Sequence, residues 1–290
     1  MTMPDPRLRP PTWQPGRRRS LAARVLPILA VPLVLLYFAW LLEPSRVGNP
    51  ILYGLLLAAE LFNLAQAAGF WWNMRRQPVA RDVGRLEPAP AVDVFVPVFD
   101  EPIDIVEPTI AAACAMHGTP QVALLDDSGG RRQYADLARR HGVRYICRSD
   151  HDGAKAGNIN HALARTDAPY VAVFDCDHLP CAEFLKETLG HFRDPEVAYV
   201  QTPQYYANHD TGGQLAGAAW AQQALFFGTI ATGKDSMGAM FCCGTNVVYR
   251  RSALEASGGL PQSSVTEDFE LSITLHELGW RSVYVPQVLA

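Results

Sequence analysis

The stretch "YVAVFDCDHLP", Tyr170 to Pro180, opens as a buried strand and closes in chemistry. After the apolar run Val171 to Phe174 come Asp175 and Asp177, with Cys176 between them and His178 directly behind. An apolar strand that runs into two carboxylates and an imidazole delivers them at its carboxyl end. In an open α/β sheet that end is where ligands bind.

The flanking sequence predicts such a sheet. "VDVFVPVF" precedes a helical pattern over Ile103–Met116, and "QVALLDD" precedes one over Gln133–His141. "VRYIC" leads to Lys155–Arg165, and "YVAVFD" to Glu183–Phe192. Strands alternating with helices of this length indicate βαβ units. Near-continuous apolar strands indicate a sheet covered on both faces. The fold class expected is therefore α/β, with a mostly parallel, Rossmann-like sheet. Two further strands end in acids: "VALLDDS" in Asp126 and Asp127, "VFVPVFDEP" in Asp100 and Glu101. One such end is adequately explained as a turn or helix cap. Three at one edge point to a ligand.

In extended backbone Asp175 and Asp177 share one side of the chain. Their repulsion suits a hard divalent cation, Mg²⁺ or Mn²⁺, which takes one or two protein carboxylates and completes its shell with phosphate oxygens. His178 would add a ligand for Mn²⁺. A metal-bound diphosphate is thus the ligand class expected. Lys155, in "HDGAKAGNINHAL", is either a phosphate-reaching ammonium or a plain surface lysine. In "SVTEDFELSITLHELGW", Thr266 suits an N-cap, with Glu267 and Asp268 in the first helical turn. Asp268 equally suits a general base on a rigid element, and the residues leave both readings open. Phe269, Leu271, Ile273, Leu275 and Leu278 supply the apolar content of that helix.

Composition bounds the rest. The 290 residues carry a formal net charge of -4, which gives no reason to expect a nucleic-acid partner. Six cysteines show no paired zinc-ligand spacing and read as reduced, structural thiols. Residues 1–20 are basic and Pro-rich and are expected to be a disordered tail. Within 21–74, Val25–Leu42 has no charged residue and Ile51–Trp72 has only Glu60. Each run is about the ~20 residues that span a bilayer, so two transmembrane helices with a short external loop are expected. Tyr37, Trp40, Tyr53, Trp71 and Trp72 mark their boundaries. Arginines on both outer flanks place the chain ends in the cytoplasm by the positive-inside rule. Glu60, near Asn63 and Gln66, is expected to face protein rather than lipid. Residues 75–91 read as a linker, and 92–290 as the soluble α/β domain.

"LLDDSG", "DGAKAGNINHAL", "DCDH", "VQTPQYY", "FCCGTNVVYRRSAL" and "VTEDFELSITLHELGWRSVYVP" occur in an ordered set. That set resembles the membrane-bound processive family 2 glycosyltransferases, the cellulose synthase catalytic subunits among them, from Val92 to the end. The resemblance implies a GT-A fold and an inverting, metal-dependent transferase. It implies a UDP-sugar donor, UDP-glucose foremost, and a growing β-glucan as acceptor. Transfer to a lipid or another polysaccharide, and a non-catalytic scaffold, are the alternative readings. By resemblance, Asp127 and the loop of Phe99 and Glu101 hold uridine, Lys155 and Asp175 contact diphosphate, and Asp175, Asp177 and His178 hold the metal. Gln201, Thr202, Pro203, Cys242, Cys243, Gly244, Thr245 and Glu267 line the acceptor, and Asp268 is the base. The resemblance also implies a multi-pass protein of the inner membrane, in contact with lipid and accessory synthase subunits. Two departures stand out. The loop reads "VFDE" where the family has a Thr-Tyr-Asn-Glu-like sequence, and no Gln-x-x-Arg-Trp occurs. The second is expected if the chain is the amino-terminal part of a longer synthase.

Overall fold

The computed structural model describes residues 21–290 apart from 77, 78, 80, 82 and 208–211, with the backbone alone for 21–24, 26 and 27. The expected tail, 1–20, lies outside the described residues. In chain order the elements begin with helices α1 (Leu21–Leu41) and α2 (Pro50–Met74), followed by β1 (Ala91–Val98), α3 (Ile103–Cys114), β2 (Thr119–Asp126) and α4 (Arg132–His141). Next come β3 (Arg144–Cys147), α5 (Ala154–Leu163), β4 (Tyr170–Val173), α6 (Phe184–Leu189) and β5 (Val197–Gln201). The chain continues through α7 (Gly213–Leu225), α8 (Thr232–Ser236), β6 (Val247–Arg250), α9 (Arg251–Ala256), α10 (Glu267–Glu277) and β7 (Arg281–Tyr284). A π-helical turn, Phe226–Ala231, joins α7 to α8.

Seven strands form one sheet in the order β3-β2-β1-β4-β6-β5-β7. The pairings are parallel except those of β6, which runs antiparallel to β4 and β5. Alternation along each strand feeds two cores. Val92, Val94, Val96, Val98, Val122, Leu124 and Phe174 meet Val106 and Ile110 of α3, Tyr134 and Leu137 of α4, and Phe184 of α6. Phe95, Ala123, Leu125, Val171 and Val173 meet Ile159 of α5, Leu254 of α9, and Leu271 and Leu275 of α10. This is why the strands read as unbroken apolar runs: every second residue serves a different layer. Full burial of one such aliphatic side chain is worth about 1.5–3 kcal/mol. In α10 the core takes only the residues four apart, while Phe269, Ile273 and Leu278 stay exposed.

At the amino-terminal side, α2 alone among the described helices is long and apolar enough to cross a membrane; the described apolar stretch of α1 is the shorter Ile28–Leu41. The two lean on each other through Tyr37 Oη, which donates to Glu60 Oε1 at 3.0 Å, and Tyr53 Oη, which donates to the Leu41 carbonyl at 2.8 Å. The Glu60 carboxylate thus has a phenol of α1 as its partner. Two described residues after α2, Arg81 and Val83, bond to the domain. Arg81 makes a two-pronged ion pair with Asp235 at 2.8 and 3.1 Å, and Arg193 Nη1 donates to the Val83 carbonyl at 3.3 Å.

Beneath this segment His191 is buried with its Nδ1 unpartnered. Burial, with the charge of Arg81 second, holds its pKa down to about 4. The unfolded chain takes up that proton near pH 6.5, the folded chain only near 4. Stability is thus complete above pH 6.5 and falls as pH drops toward 4, by about 1.4 kcal/mol per unit. A His191→Leu variant should show a flatter decline of thermal midpoint between pH 6.5 and 4.5; an unchanged slope would assign the acid sensitivity to other groups.

Candidate active site

The carboxyl ends of β1, β2 and β4 and the start of α5 enclose a cleft of about 610 Å³, within the range of small-ligand sites. Phe99, Glu101, Asp127, His151, Lys155, Asn158, Asp175 and Asp177 are among its lining residues. Local sequence explains the arrangement. Asp126 and Asp127 are neighbours at a strand end, so their side chains diverge. Asp126 is consumed by its own turn. It accepts from Ser128 N at 2.7 Å, Arg131 N at 2.9 Å and Tyr145 Oη at 2.6 Å. Asp127 faces the cleft and is gripped from below by Arg148, whose Nε and Nη2 donate to its two oxygens at 2.5 and 2.8 Å. His151 Nδ1 lies 3.3 Å from the same carboxylate. Phe99 is half-exposed at the cleft rim, its ring edge-on to His151 at 5.7 Å. Glu101 spends its carboxylate on the loop itself, accepting from Phe99 N at 2.7 Å and Asp100 N at 3.2 Å. Asp100 turns away to pair with Arg131.

The opening stretch departs from its expected geometry. The strand stops at Val173, and Asp175 to His178 form a turn closed by His178 N donating to the Asp175 carbonyl at 3.0 Å. Both neighbours, β1 and β6, pair with β4 only as far as Val173; beyond it Asp175 N donates to Thr245 Oγ1 at 2.9 Å. Asp175 is bonded by Lys155 Nζ, and Asp177 sits 3.0 Å from His178 Nδ1. The contact with His178 holds the Asp177 carboxyl below its usual pKa against the opposing effect of burial. His178 Nδ1 is nonetheless buried without a hydrogen bond of good geometry. Among the described residues no three His, Cys, Asp or Glu side chains stand together as a ligand set. The three residues expected as ligands, Asp175, Asp177 and His178, do not form such a set: His178 Nδ1 lies against Asp177, and Asp175 is bonded by Lys155. Two carboxylates at the cleft, facing space for phosphate oxygens, remain a fitting donor set for a hard cation.

The second half of the site is a loop folded over the first. Gln201 is fully buried and acts as a clasp. Its Nε2 donates to the carbonyls of Thr202 and Thr245, each at 2.8 Å, and its Oε1 accepts from Cys243 N at 2.8 Å. Thr202 Oγ1 donates to the Asn246 carbonyl at 3.1 Å, and Asn246 Nδ2 to that of Pro203 at 3.3 Å. Cys242 is buried, its thiol pushed up to about 11 by burial, and its Sγ lies 3.2 Å from the Asp268 carbonyl. Ser272 Oγ accepts from Cys242 N at 2.8 Å and donates to the Asp268 carbonyl at 2.7 Å. Gln201, Thr202, Pro203, Cys242 and Thr245 are thus buried scaffolding, and Cys243 and Gly244 are half-exposed. Gly244 has φ +70°, and a Cβ there would lie 3.4 Å from Asp268 Oδ2 and 3.6 Å from Lys155 Nζ. Lys155 Nζ also donates to the Gly244 carbonyl at 3.0 Å. One point in space is therefore within reach of Asp175, Lys155 and Asp268, brought there from β4, α5 and α10. Glu267 lies next to it with its pKa raised by burial, Asp268 adding to the shift and Lys155 opposing it. Thr266 occupies the N-cap position of α10 without a capping hydrogen bond from its side chain.

Sequence reasoning missed Arg148, His151, Asn158 and Ser272. Arg148 carried the signal already used for the acids, a charged residue ending an apolar strand. Asn158 and Ser272 lie inside helices and had none.

An α/β sheet with one reversed strand and an acidic cleft at its carboxyl edge is the arrangement of the GT-A fold. The solved mannosyltransferase PcManGT from Pyrobaculum calidifontis shares that fold, with a TM-score of 0.62 at 19% identity over 81% of this chain and 66% of its own. Residues 89–290 match the description "Glycosyltransferase like family 2", and the chain belongs to that family. Among its relatives is the cellulose synthase catalytic subunit [UDP-forming] of Pseudomonas fluorescens (strain SBW25), 38% identical over 94% of this chain and 39% of that protein. Another is the protein of the same name from Xanthomonas axonopodis pv. citri (strain 306), 36% identical over 87% of this chain and 36% of its own length. Cellulose synthase 1 of Komagataeibacter xylinus is 34% identical over 96% of this chain and 18% of that protein. The chain thus spans about a fifth to two fifths of the length of these relatives.

Proposed function

We propose that the protein transfers a sugar from a UDP-sugar, UDP-glucose foremost, to a growing β-glucan at the inner face of a membrane that α1 and α2 anchor. The observation that carries this reading is the meeting of Asp175, Lys155 and Asp268 around Gly244. A donor cleft and the Oδ2 of a carboxylate on a separate helix share one small space there. The relatives named cellulose synthase support the substrate class, and the UDP in two of those names supports the nucleotide.

In this reading Phe99 provides a ring for the nucleobase, while Asp127, fixed by the Arg148 fork, and Glu101 shape the uridine end. Asp175 and Asp177 would hold a Mg²⁺ or Mn²⁺ ion, which when bound stabilises negative charge on the departing diphosphate. Lys155 exchanges its bond to Asp175 for one to phosphate. The buried clasp at Gln201 and Thr202 holds Cys243 and Gly244 against the acceptor, and the absent side chain at 244 leaves room for a sugar hydroxyl beside Asp268. The Asp268 carboxylate accepts that hydroxyl proton. The freed oxygen bonds to the anomeric carbon as the bond to diphosphate breaks, inverting configuration in one displacement. Arg75, Arg76, Arg81 and Arg85 after α2 support the cytoplasmic placement of the domain. Further membrane helices and accessory synthase subunits belong to the same proposal.

Calorimetric titration of UDP into the detergent-solubilised chain, with and without Mn²⁺ and with GDP as comparison, tests it. Metal-dependent binding that prefers UDP is expected. Asp177→Asn should weaken only the metal-dependent part, by roughly ten-fold or more, as for loss of one charged ligand contact. Equal binding with and without metal would remove Asp175 and Asp177 from metal binding, and preference for GDP would overturn the donor assignment.

A further inference from the structure

We infer that Asn73, at the end of α2, is a positioning residue for the acceptor side of the site, acting through a socket at Gly233. The inference rests on the reading above that Asp268 and the 242–245 loop meet the acceptor. Asn73 is the one buried side chain among the described residues of α2. Its Nδ2 donates to the carbonyls of Ile230 at 3.2 Å and Thr229 at 3.5 Å. Both belong to the π-helical turn between α7 and α8. Such a turn breaks the regular ladder and frees carbonyls for side chains to enter. The opening exists because residue 233 is glycine: a Cβ there would sit 2.3 Å from Asn73 Oδ1 and 2.5 Å from its Cγ.

The amide is an uneconomical joint. Asn73 Oδ1 is buried without a donor, and a buried acceptor left unpaired is destabilising. Apolar packing would join two helices at lower free energy. What an amide adds is register, since its donor fits only carbonyls freed by the irregular turn. The same turn is braced from the opposite side. Tyr284 Oη donates to the Phe227 carbonyl at 2.8 Å, and Tyr284 N donates to Asp235 Oδ1 at 2.8 Å, the carboxylate that also binds Arg81.

From the turn a line of rings leads to the site. Phe226 is 5.6 Å from Phe241, and Phe241 is 5.1 Å from Phe269. Phe241 directly precedes Cys242. Phe269 directly follows Asp268, and its N–H donates to Asp268 Oδ1 at 2.8 Å. Movement of the π turn therefore reaches both walls of the gap at Gly244. It meets the nucleotide cleft only at Lys155 and Asp175, which border both spaces, and not at Phe99, Glu101, Asp127 or His151. Asn73 follows Trp71 and Trp72, so the socket lies where α2 leaves the proposed membrane. It ties the anchor to the acceptor loop.

Hydrogen exchange on the full chain in detergent, for wild type, Asn73→Leu, Asn73→Ser, Gly233→Ala and the Leu/Ala double variant, tests the inference. Asn73→Leu should speed exchange of the Phe226–Ser236 amides and of the Cys243 and Phe269 amides by roughly ten-fold, the scale of one lost buried hydrogen bond. UDP affinity in Mn²⁺ should not change. Gly233→Ala should give the same pattern, and the double variant no more than the worse single, as for residues that share one contact. Asn73→Ser, which keeps a donor, should fall between. In sugar transfer, Asn73→Leu should lower turnover of acceptor while the donor KM stays constant. Faster exchange confined to Phe226–Ser236, or spread equally to the amides around Asp127, would reduce Asn73 to ordinary packing and overturn the proposal. If wild type binds no UDP, the donor reading fails, and the exchange pattern still decides the coupling.

Discussion

Asp268→Asn is expected to leave UDP binding near wild type while slowing sugar transfer by roughly 10²–10⁴-fold, the usual contribution of a general base. The substitution keeps shape and removes proton affinity. An asparagine Oδ1 still accepts the 2.8 Å bond from Phe269 N, and the Asp268 carbonyl still accepts from Ser272 Oγ. The start of α10 and the loop against it are therefore preserved. Nothing in the nucleotide cleft depends on this carboxylate, which meets Lys155 only across the Gly244 gap. Single-turnover transfer from labelled donor, paired with UDP calorimetry, separates the two quantities. Wild-type turnover in the variant would take Asp268 out of the mechanism. Comparable loss of UDP affinity would make it a donor-site residue instead.

Asp93→Ala should cost about 3–5 kcal/mol of stability, the scale for stranding a buried charge. Asp93 lies in β1 at the sheet edge away from the cleft, 1% exposed. Its Oδ2 accepts from Arg251 Nη2 at 2.7 Å and Ala168 N at 3.0 Å. Arg251 also donates to the Ala168 carbonyl at 2.5 Å, the Leu163 carbonyl at 3.0 Å and Thr166 Oγ1 at 2.9 Å. The guanidinium thus staples α5, the loop before β4, β1 and α9 together. Without Asp93 it remains buried with its charge unanswered. The thermal midpoint of the detergent-solubilised chain should fall by roughly 10 °C, given ~2–4 °C per kcal/mol for a domain of this size. Asp93→Asn, which retains an acceptor, should lose less. A fall of only a degree or two for the alanine variant would show the staple to be dispensable.

The division between what was legible and what was not follows from the range of the interactions. Strand and helix positions, the mostly parallel sheet and the acid-bearing edge are local. Each rests on a period, an apolar run or a residue type within about ten positions, and each stands in the structure. The antiparallel β6 was not legible, since pairing direction depends on partners tens of residues away. Beyond Val173 β4 has lost both of its partners, and Asp175 to Asp177 leave the extended geometry their spacing suggested. Burial was equally hidden. Gln201, Thr202 and Thr245 read as contact residues and fold as a clasp beneath the surface.

By itself, then, the sequence determined an α/β domain of glycosyltransferase family 2 behind an apolar helical segment, with acids where its strands end. Only the tertiary structure decided which of those acids are free. Asp126 and Glu101 are spent on their own loops, Asp100 is paired with Arg131, Asp127 is locked by Arg148, and Asp268 arrives beside Lys155 from a helix over a hundred residues distant in the chain. Hydrogen-bond partners allocate a carboxylate to scaffold or to chemistry, and those partners come from elements that are neighbours only once the sheet has closed around them.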